Sequence, residues 1–158
     1  MAGACRVALT DTSFPPELKS VTVQDFDNTA SFVVPGLAQR LSEELRSKFI
    51  RETTAYLAKN DGDWEFSGTI TRYGITPIAP TGDEVTALNR LTIEISVDFV
   101  TRLIEDPLLA EDAGWSKRFT RYADFESSQQ LSDVEDQLID EINEQLVQDI
   151  FNEVGSNW

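Results

Sequence analysis

The chain has 158 residues, 41% of them hydrophobic and 26% charged, which predicts one globular domain with a real core. It contains no histidine and a single cysteine, Cys5. These counts exclude an internal disulfide and remove the usual proton shuttle and commonest metal ligand. Thirteen basic against 28 acidic residues give a net charge of −15, which argues against nucleic-acid binding. The sequence also lacks a phosphate loop, a nucleophile elbow and a metal signature, so we predict a binding protein without cofactors.

The N-terminal part of the chain predicts a lead, a strand and a helix. Residues 1–19 are expected to form the lead, and residues 20–158 a single domain. The alternating, β-rich residues 20–26 favour a first strand, with turn chemistry at 27–29. A helix is predicted over about 35–53, because four apolar side chains recur every four residues: Leu37, Leu41, Leu45 and Phe49.

The middle of the chain predicts further strands. Residues 54–58 favour a short strand, and the Asp-Gly signal within 60–63 predicts a hairpin that leads into a long strand over 64–75. The apolar pattern slips near Gly74, which suggests a bulge or bend there. Strict alternation over 90–100 predicts a strand with one wet face, which carries Thr92, Glu94, Ser96 and Asp98.

The last third predicts a strand over 115–125 and a closing helix over 132–154, which Gly155 is expected to end. Loops are predicted over 77–87 and 104–114. This order of elements predicts an α+β fold, with one mostly antiparallel sheet of four to five strands and two amphipathic helices packed on one face.

Acidic residues dominate the C-terminal part of the chain. After Arg121 the sequence has ten acidic residues and no basic one. One interpretation is a helix face in contact with water. The other is a surface that matches a basic partner or enclosure.

Five basic residues in the strand region are candidates for an anionic-ligand patch, for instance for a phosphorylated lipid head group. The alternative is that they pair across strands with Glu94, Asp98 and neighbouring carboxylates. A polar outer face explains Glu94 and Asp98 without the cleft that an enzyme's carboxylate pair would need, so we do not predict catalysis. The candidate patch consists of Lys117, Arg118, Arg121, Arg90 and Arg72.

Cys5 follows the small residues Ala2, Gly3 and Ala4. A run of this kind precedes the acylated cysteine of bacterial lipoproteins, although here no apolar stretch comes before it. Cys5 is therefore either a lipid-anchor residue or a free thiol without a role. An acyl anchor would hold the domain at a membrane surface.

Several segments, taken in order, resemble the LptE family of lipopolysaccharide-assembly lipoproteins, in the version found in Bacteroidetes-type bacteria. Each segment alone is a weak signal, but the ordered set is specific and extends from Cys5 to Trp158. The segments are 16–23, 64–73, 89–93, 121–125 and 137–152, followed by the final Trp158.

The resemblance implies a fold in which two helices cover one side of a sheet. It also implies an acylated cysteine at the position of Cys5, on the periplasmic side of the outer membrane. The partner would be the outer-membrane β-barrel LptD, which such proteins help to fold and plug while lipopolysaccharide is delivered to the outer leaflet. The alternatives are a lipid-binding module of the periplasm or outer membrane that acts without a barrel, and an envelope enzyme.

Overall fold

The computed structural model describes residues 14–83 and 86–156, with the side chains of residues 110–112 left aside. The predicted anchor Cys5 and the final Trp158 lie outside the described residues. In the part of the chain that is described, none of the helices combines the length and apolar character that crossing a membrane would require.

The described chain forms six strands and three helices. The helices are α1 (Leu37–Glu52), the short α2 (Pro107–Ala113) and α3 (Leu131–Ser156). The strands are β1 (Ser20–Val23), β2 (Asp27–Asn28), β3 (Tyr56–Leu57), β4 (Trp64–Ile78), β5 (Leu88–Thr101) and β6 (Trp115–Glu126).

All six strands belong to one sheet with the order β3-β1-β4-β5-β6, and β2 pairs with β4 farther along. Strands β4, β5 and β6 form a long antiparallel meander. Strand β1 is parallel to both of its neighbours, β3 and β4, and β2 is also parallel to β4. The predicted α+β class is confirmed. The sheet has one strand more than the five predicted at most, the short β2, and the chain has one additional short helix, α2.

The core lies between one face of the sheet and the apolar stripes of α1 and α3. Along β5 the alternation of the sequence becomes an alternation of burial, because successive side chains point to opposite faces. The two helices run in the same direction, since Arg40 contacts Asp136 while Lys48 contacts Gln148. The buried stripe of α1 consists of Leu37, Leu41, Leu45 and Phe49.

Aromatic side chains fill the core where β4 begins. We call this part of the molecule the aromatic end. The ring centroid of Trp64 lies 5.6 Å from that of Phe14 and 5.5 Å from that of Phe99, and Phe99 lies 5.4 Å from Trp115. Phe14 also packs 4.9 Å from Phe151 near the end of α3. The described chain therefore enters the fold at this end.

The predicted hairpin after Asp61 and Gly62 is wrong. Strands β3 and β4 are not neighbours, because β1 lies between them and pairs with both in parallel. Contacts to β1 hold the turn in this position. The Gly62 N–H donates to Thr22 Oγ1 at 2.9 Å, and Asp63 Oδ2 accepts the N–H groups of Lys19 and Ser20 at 2.8 and 3.1 Å.

The bulge in β4 lies at Thr71, three residues before the predicted position at Gly74. Ile70 pairs with Ile95 and Arg72 with Glu94, so Thr71 is the extra residue. Its hydroxyl lies 3.2 Å from the Glu94 carbonyl oxygen and 2.9 Å from Glu94 Oε1, and these contacts anchor the bulge to β5.

Three element boundaries also differ from the predictions, and two short elements lie where a turn and a loop were predicted. The first strand ends at Val23, and the predicted turn at 27–29 includes β2. Strand β4 continues through Pro77 to Ile78, and the predicted loop 104–114 contains α2. Helix α3 continues to Ser156, because Gly155 is buried inside its last turn and does not end it.

Candidate functional site

The sheet separates the five predicted patch residues. Val97 pairs with Lys117 and Ile93 with Arg121, so these two cations lie on the side of the sheet that the helices cover. Arg118 lies on the opposite side, as do Arg72 and Arg90. We call this second surface, formed by β4, β5 and β6, the open face. The five residues therefore do not form one patch.

On the covered side, Lys117 and Arg121 attach β6 to α3. Both guanidinium contacts of Arg121 to the Asp149 carboxylate measure 2.7 Å, which makes the pair bidentate. Lys117 Nζ contacts Glu153 Oε1 one turn farther along the same helix. Together, the contacts of Arg121 and Lys117 link β6 to α3. Charge-assisted pairs of this geometry fix the position of the helix against the strand as well as pairing the charges.

On the open face, Arg90 also has a carboxylate partner. Its Nε and Nη2 donate to the Asp124 carboxylate at 2.7 and 2.9 Å, and the guanidinium lies 3.7 Å from the ring centroid of Tyr122. The hydrogen bond from Arg90 holds the pKa of Asp124 below its ordinary value. This arrangement spans β5 and β6 and matches the predicted cross-strand pairing.

Arg72 and Arg118 lie on either side of Glu94. The side chain of Arg118 is 74% exposed, and its Nη1 is 4.0 Å from Glu94 Oε1. Arg72 is the register partner of Glu94. Within residues 14–83 and 86–156, Arg72 forms no ion pair with a nitrogen–oxygen distance below 4.0 Å. Asp98, another predicted partner, forms no ion pair in the same part of the chain. The open face is therefore polar with mixed charge.

Several acidic residues of α3 contact side chains of other elements, whether or not they are exposed. Arg40 Nη1 contacts Asp136 at 3.0 Å, and Arg40 Nη2 contacts Asp140. The Tyr73 hydroxyl donates to Glu135 at 2.7 Å, and burial, reinforced by this hydrogen bond, raises the pKa of Tyr73. The outer side of the helix is exposed to solvent, as the first interpretation of the acidic run predicted, and carries Asp133, Glu141 and Glu144.

A surface groove of about 960 Å³ lies beside the first turns of α1 and was not predicted. Arg46 forms part of its wall, and its Nε and Nη2 donate to the Val23 carbonyl oxygen at 3.1 and 2.7 Å. Strand β3 is only two residues long, so the guanidinium takes the place of a neighbouring strand at Val23. No signal in the sequence shows this, because Arg46 resembles any other polar residue on the exposed side of a helix.

The described side chains include no group of three or more His, Cys, Asp or Glu residues that could hold a metal ion. Among the described residues, the pKa of one carboxyl group is raised: burial, followed by repulsion from Asp140 and Glu144, raises the pKa of Glu44. Glu44 lies where α1 faces α3.

Solved structures with the same fold come from bacterial proteins with little sequence similarity to this chain. A minor lipoprotein from Acinetobacter baumannii has a TM-score of 0.53 at 12% identity, over 89% of this chain and 94% of its own. A hypothetical protein from Chlamydia trachomatis has a TM-score of 0.57 at 8% identity, over 87% and 98%. An uncharacterized lipoprotein B from Nitrosomonas europaea has a TM-score of 0.51 at 15% identity, over 92% and 86%. These identities support a shared fold and nothing finer.

The model of the LptE family, described as lipopolysaccharide-assembly, matches residues 18–154. The match covers nearly the whole described chain, so the protein belongs to the LptE family. The resemblance in the sequence is thereby confirmed, and the general context of the chain is lipopolysaccharide assembly at the outer membrane. No match among curated proteins accompanies the family match.

Proposed function

We propose that this protein is an outer-membrane lipoprotein that plugs the LptD β-barrel, helps it to assemble and assists lipopolysaccharide insertion into the outer leaflet. In this proposal Cys5 carries the acyl anchor, on the periplasmic side. The observation that carries the proposal is the family match over residues 18–154. The chain would act by binding, without a catalytic step.

The character of the open face supports a place inside a barrel. The lumen of an outer-membrane barrel is polar, whereas its lipid-facing outside is apolar. The half-buried positions of β5 on the open face carry hydroxyl groups and a carboxylate, as at Thr92, Glu94 and Ser96. When such a surface is covered, its hydrogen bonds to water can be replaced by hydrogen bonds to a polar barrel wall. An apolar partner offers no such hydrogen bonds, so burial against it would cost free energy.

Ion pairing counts against the alternative of a lipid-binding module that acts without a barrel. Lys117, Arg121 and Arg90 already have carboxylate partners. An anionic head group would have to replace these partners, and the rest of the surface is strongly acidic. Arg72 and Arg118 are the two cations of the set that remain available for such a ligand.

Purification after mild detergent extraction tests the main proposal. The full chain should co-purify with a large β-barrel protein, and photoreactive residues at Thr92 and Ser96 on the open face should cross-link to it. Recovery of the chain alone, with no barrel adduct at either position, would contradict the proposal. A photoreactive residue at Ser47, exposed on α1, reports whether contact is specific to the open face.

Titration with purified lipopolysaccharide separates the two candidates. If the barrel-independent module is correct, the isolated chain should bind lipopolysaccharide, and Arg72→Ala with Arg118→Ala should weaken that binding while the fold stays intact. If the main proposal is correct, the same variant should still co-purify with the β-barrel protein. The matched variant Lys59→Ala removes an exposed cation that lies outside the open face.

The mass of the intact protein from a membrane fraction tests the anchor by itself. Added acyl chains should appear on the full-length chain and disappear after Cys5→Ser. An unmodified mass would remove the anchor from the proposal without affecting the partnership with the barrel.

A further inference from the structure

Exposed apolar side chains are concentrated at the aromatic end. Ten large hydrophobic side chains are exposed in the described chain, and six of them lie on segments that reach this end. Ile50 follows Phe49, whose ring contacts Trp64. Leu57 is the register partner of Val21, next to Trp64 in the sheet, and Val100 is the partner of Glu65, the residue after Trp64. The six are Ile50, Tyr56, Leu57, Val100, Leu108 and Leu109.

The two most prominent belong to α2, the short helix between β5 and β6. Leu108 is 75% exposed and Leu109 is 58% exposed. Strand β5 ends at Thr101, the register partner of Trp64, and β6 starts at Trp115, the partner of Phe99. Helix α2 therefore lies at the aromatic end, on the connection between these two strands.

The described part of the chain also begins at this end. Phe14 is the first described residue and is packed against Trp64 and Phe151. Cys5 lies nine residues before Phe14. Nine residues of fully extended chain span at most about 30 Å. A lipid on Cys5 would consequently hold the aromatic end, and α2 with it, close to the bilayer.

We propose that α2 contacts the lipid surface through Leu108 and Leu109, so that the aromatic end faces the membrane. This inference rests on the lipid anchor of the proposed function. Two leucine side chains hold fewer carbons than one myristoyl chain, which itself binds membranes only marginally. Helix α2 therefore orients a chain that is already tethered, because a tether turns the second contact into an intramolecular one.

The surface chemistry selects the kind of membrane. Glu105 and Asp106, directly before α2, are exposed carboxylates, and an anionic lipid surface would repel them. A zwitterionic surface that is rich in phosphatidylethanolamine accepts the leucines without this penalty. Tyr56, exposed at the same end, fits the boundary between head groups and acyl chains, where one side of its ring can be apolar and the hydroxyl remains hydrated.

Photo-cross-linking on a tethered chain tests this inference. Cys5 is the only cysteine in the sequence, so a maleimide on phosphatidylethanolamine couples the full-length chain to vesicles at that position. Vesicles made mostly of phosphatidylethanolamine would carry the chain with p-benzoylphenylalanine at position 108. The matched control has the same group at position 75, because Ile75 is an exposed apolar residue that lies past the bulge of β4, away from Trp64.

The expected result is a lipid adduct at position 108 and none above the untethered background at position 75. With the photoreactive group at 109, Leu108→Glu should abolish the lipid adduct, while circular dichroism shows an unchanged fold. Equal adducts at 108 and 75, or adducts to protein in place of lipid, would overturn the inference. Chemical coupling supplies the tether, so these outcomes do not depend on natural acylation, and the barrel is tested separately by co-purification.

Discussion

Replacing Arg121 by alanine should loosen α3 from β6. Both nitrogen–oxygen distances of the Arg121–Asp149 pair are 2.7 Å, and the two side chains are 45% and 23% exposed. Because solvent screens a pair of this exposure, we expect a loss of about 1 kcal/mol in the free energy of unfolding. For a domain of this size, that loss corresponds to a fall of roughly 2–4 °C in Tm.

A double-mutant cycle measures the interaction itself. Arg121→Ala, Asp149→Ala and the double variant would be compared by thermal and urea unfolding, followed by circular dichroism. Arg118→Ala is the matched control, because this neighbour on the same strand points to the open face and lies 4.0 Å from Glu94. Its effect should stay within about 0.5 kcal/mol, as for an ordinary surface substitution.

Two results would refute this account of the β6 cations. A coupling energy of zero would mean that Arg121 does not hold α3, and that its guanidinium is available to a ligand. A loss on Arg118→Ala as large as that on Arg121→Ala would mean that the two faces of β6 are not energetically distinct. Either result would mean that ion pairing does not decide which cations of β6 remain available to an anionic ligand.

Three other substitutions test, in turn, a close packing contact, a buried polar side chain and a partly buried charge. Gly68→Ala would place a methyl group 2.7 Å from a ring carbon of Phe26 and 2.8 Å from the Ser96 carbonyl oxygen, and should lower the urea midpoint by an equivalent of about 1–3 kcal/mol. Asn143→Leu should raise the stability by about 1–3 kcal/mol in the same assay, because neither polar atom of this buried side chain has a hydrogen-bond partner among the described residues. The pKa of Glu44 is raised by burial, so its protonated form stabilises the fold below the unfolded pKa and that contribution is lost as the pH rises through the folded pKa. Glu44→Gln should therefore stabilise at neutral pH by roughly 0.2–0.5 kcal/mol, the size of other helix-surface charge effects, and the gain should vanish near pH 3.5 in thermal unfolding.

Periodicity predicted the parts of the fold that follow local rules. The strict alternation of β5 and the four-residue steps of α1 and α3 correspond to buried faces, because burial against a single layer imposes the period of each element. Strand β2 and the parallel position of β1 are different. They depend on backbone pairing with β4, which is distant in sequence, and β2 has only two residues. A pattern of side chains carries no information on such pairings.

The division of the basic residues was partly present in the sequence. On any strand, Lys117 and Arg121 share a face and Arg118 lies on the other, because side chains alternate with period two. Their partners were not predictable in the same way. Asp149 and Glu153 are one turn apart on α3, but many acidic residues on that helix have this spacing. The choice among them depends on how α3 lies across β6, which the packed core determines.

The distribution of polarity over the surface connects the two proposals. The open face carries hydroxyl groups and mixed charge, and the outer side of α3 is acidic, so both broad surfaces suit water or a polar wall. Among the described residues, exposed apolar side chains lie mostly at the aromatic end instead, around α2 and the first described residue, Phe14. A plug that is tethered to the inner leaflet needs this arrangement, because its sides meet a hydrated barrel while only its anchored end approaches lipid. A lipid-binding module would need apolar surface along its sheet face, where β5 of the described chain presents Thr92, Glu94 and Ser96 instead.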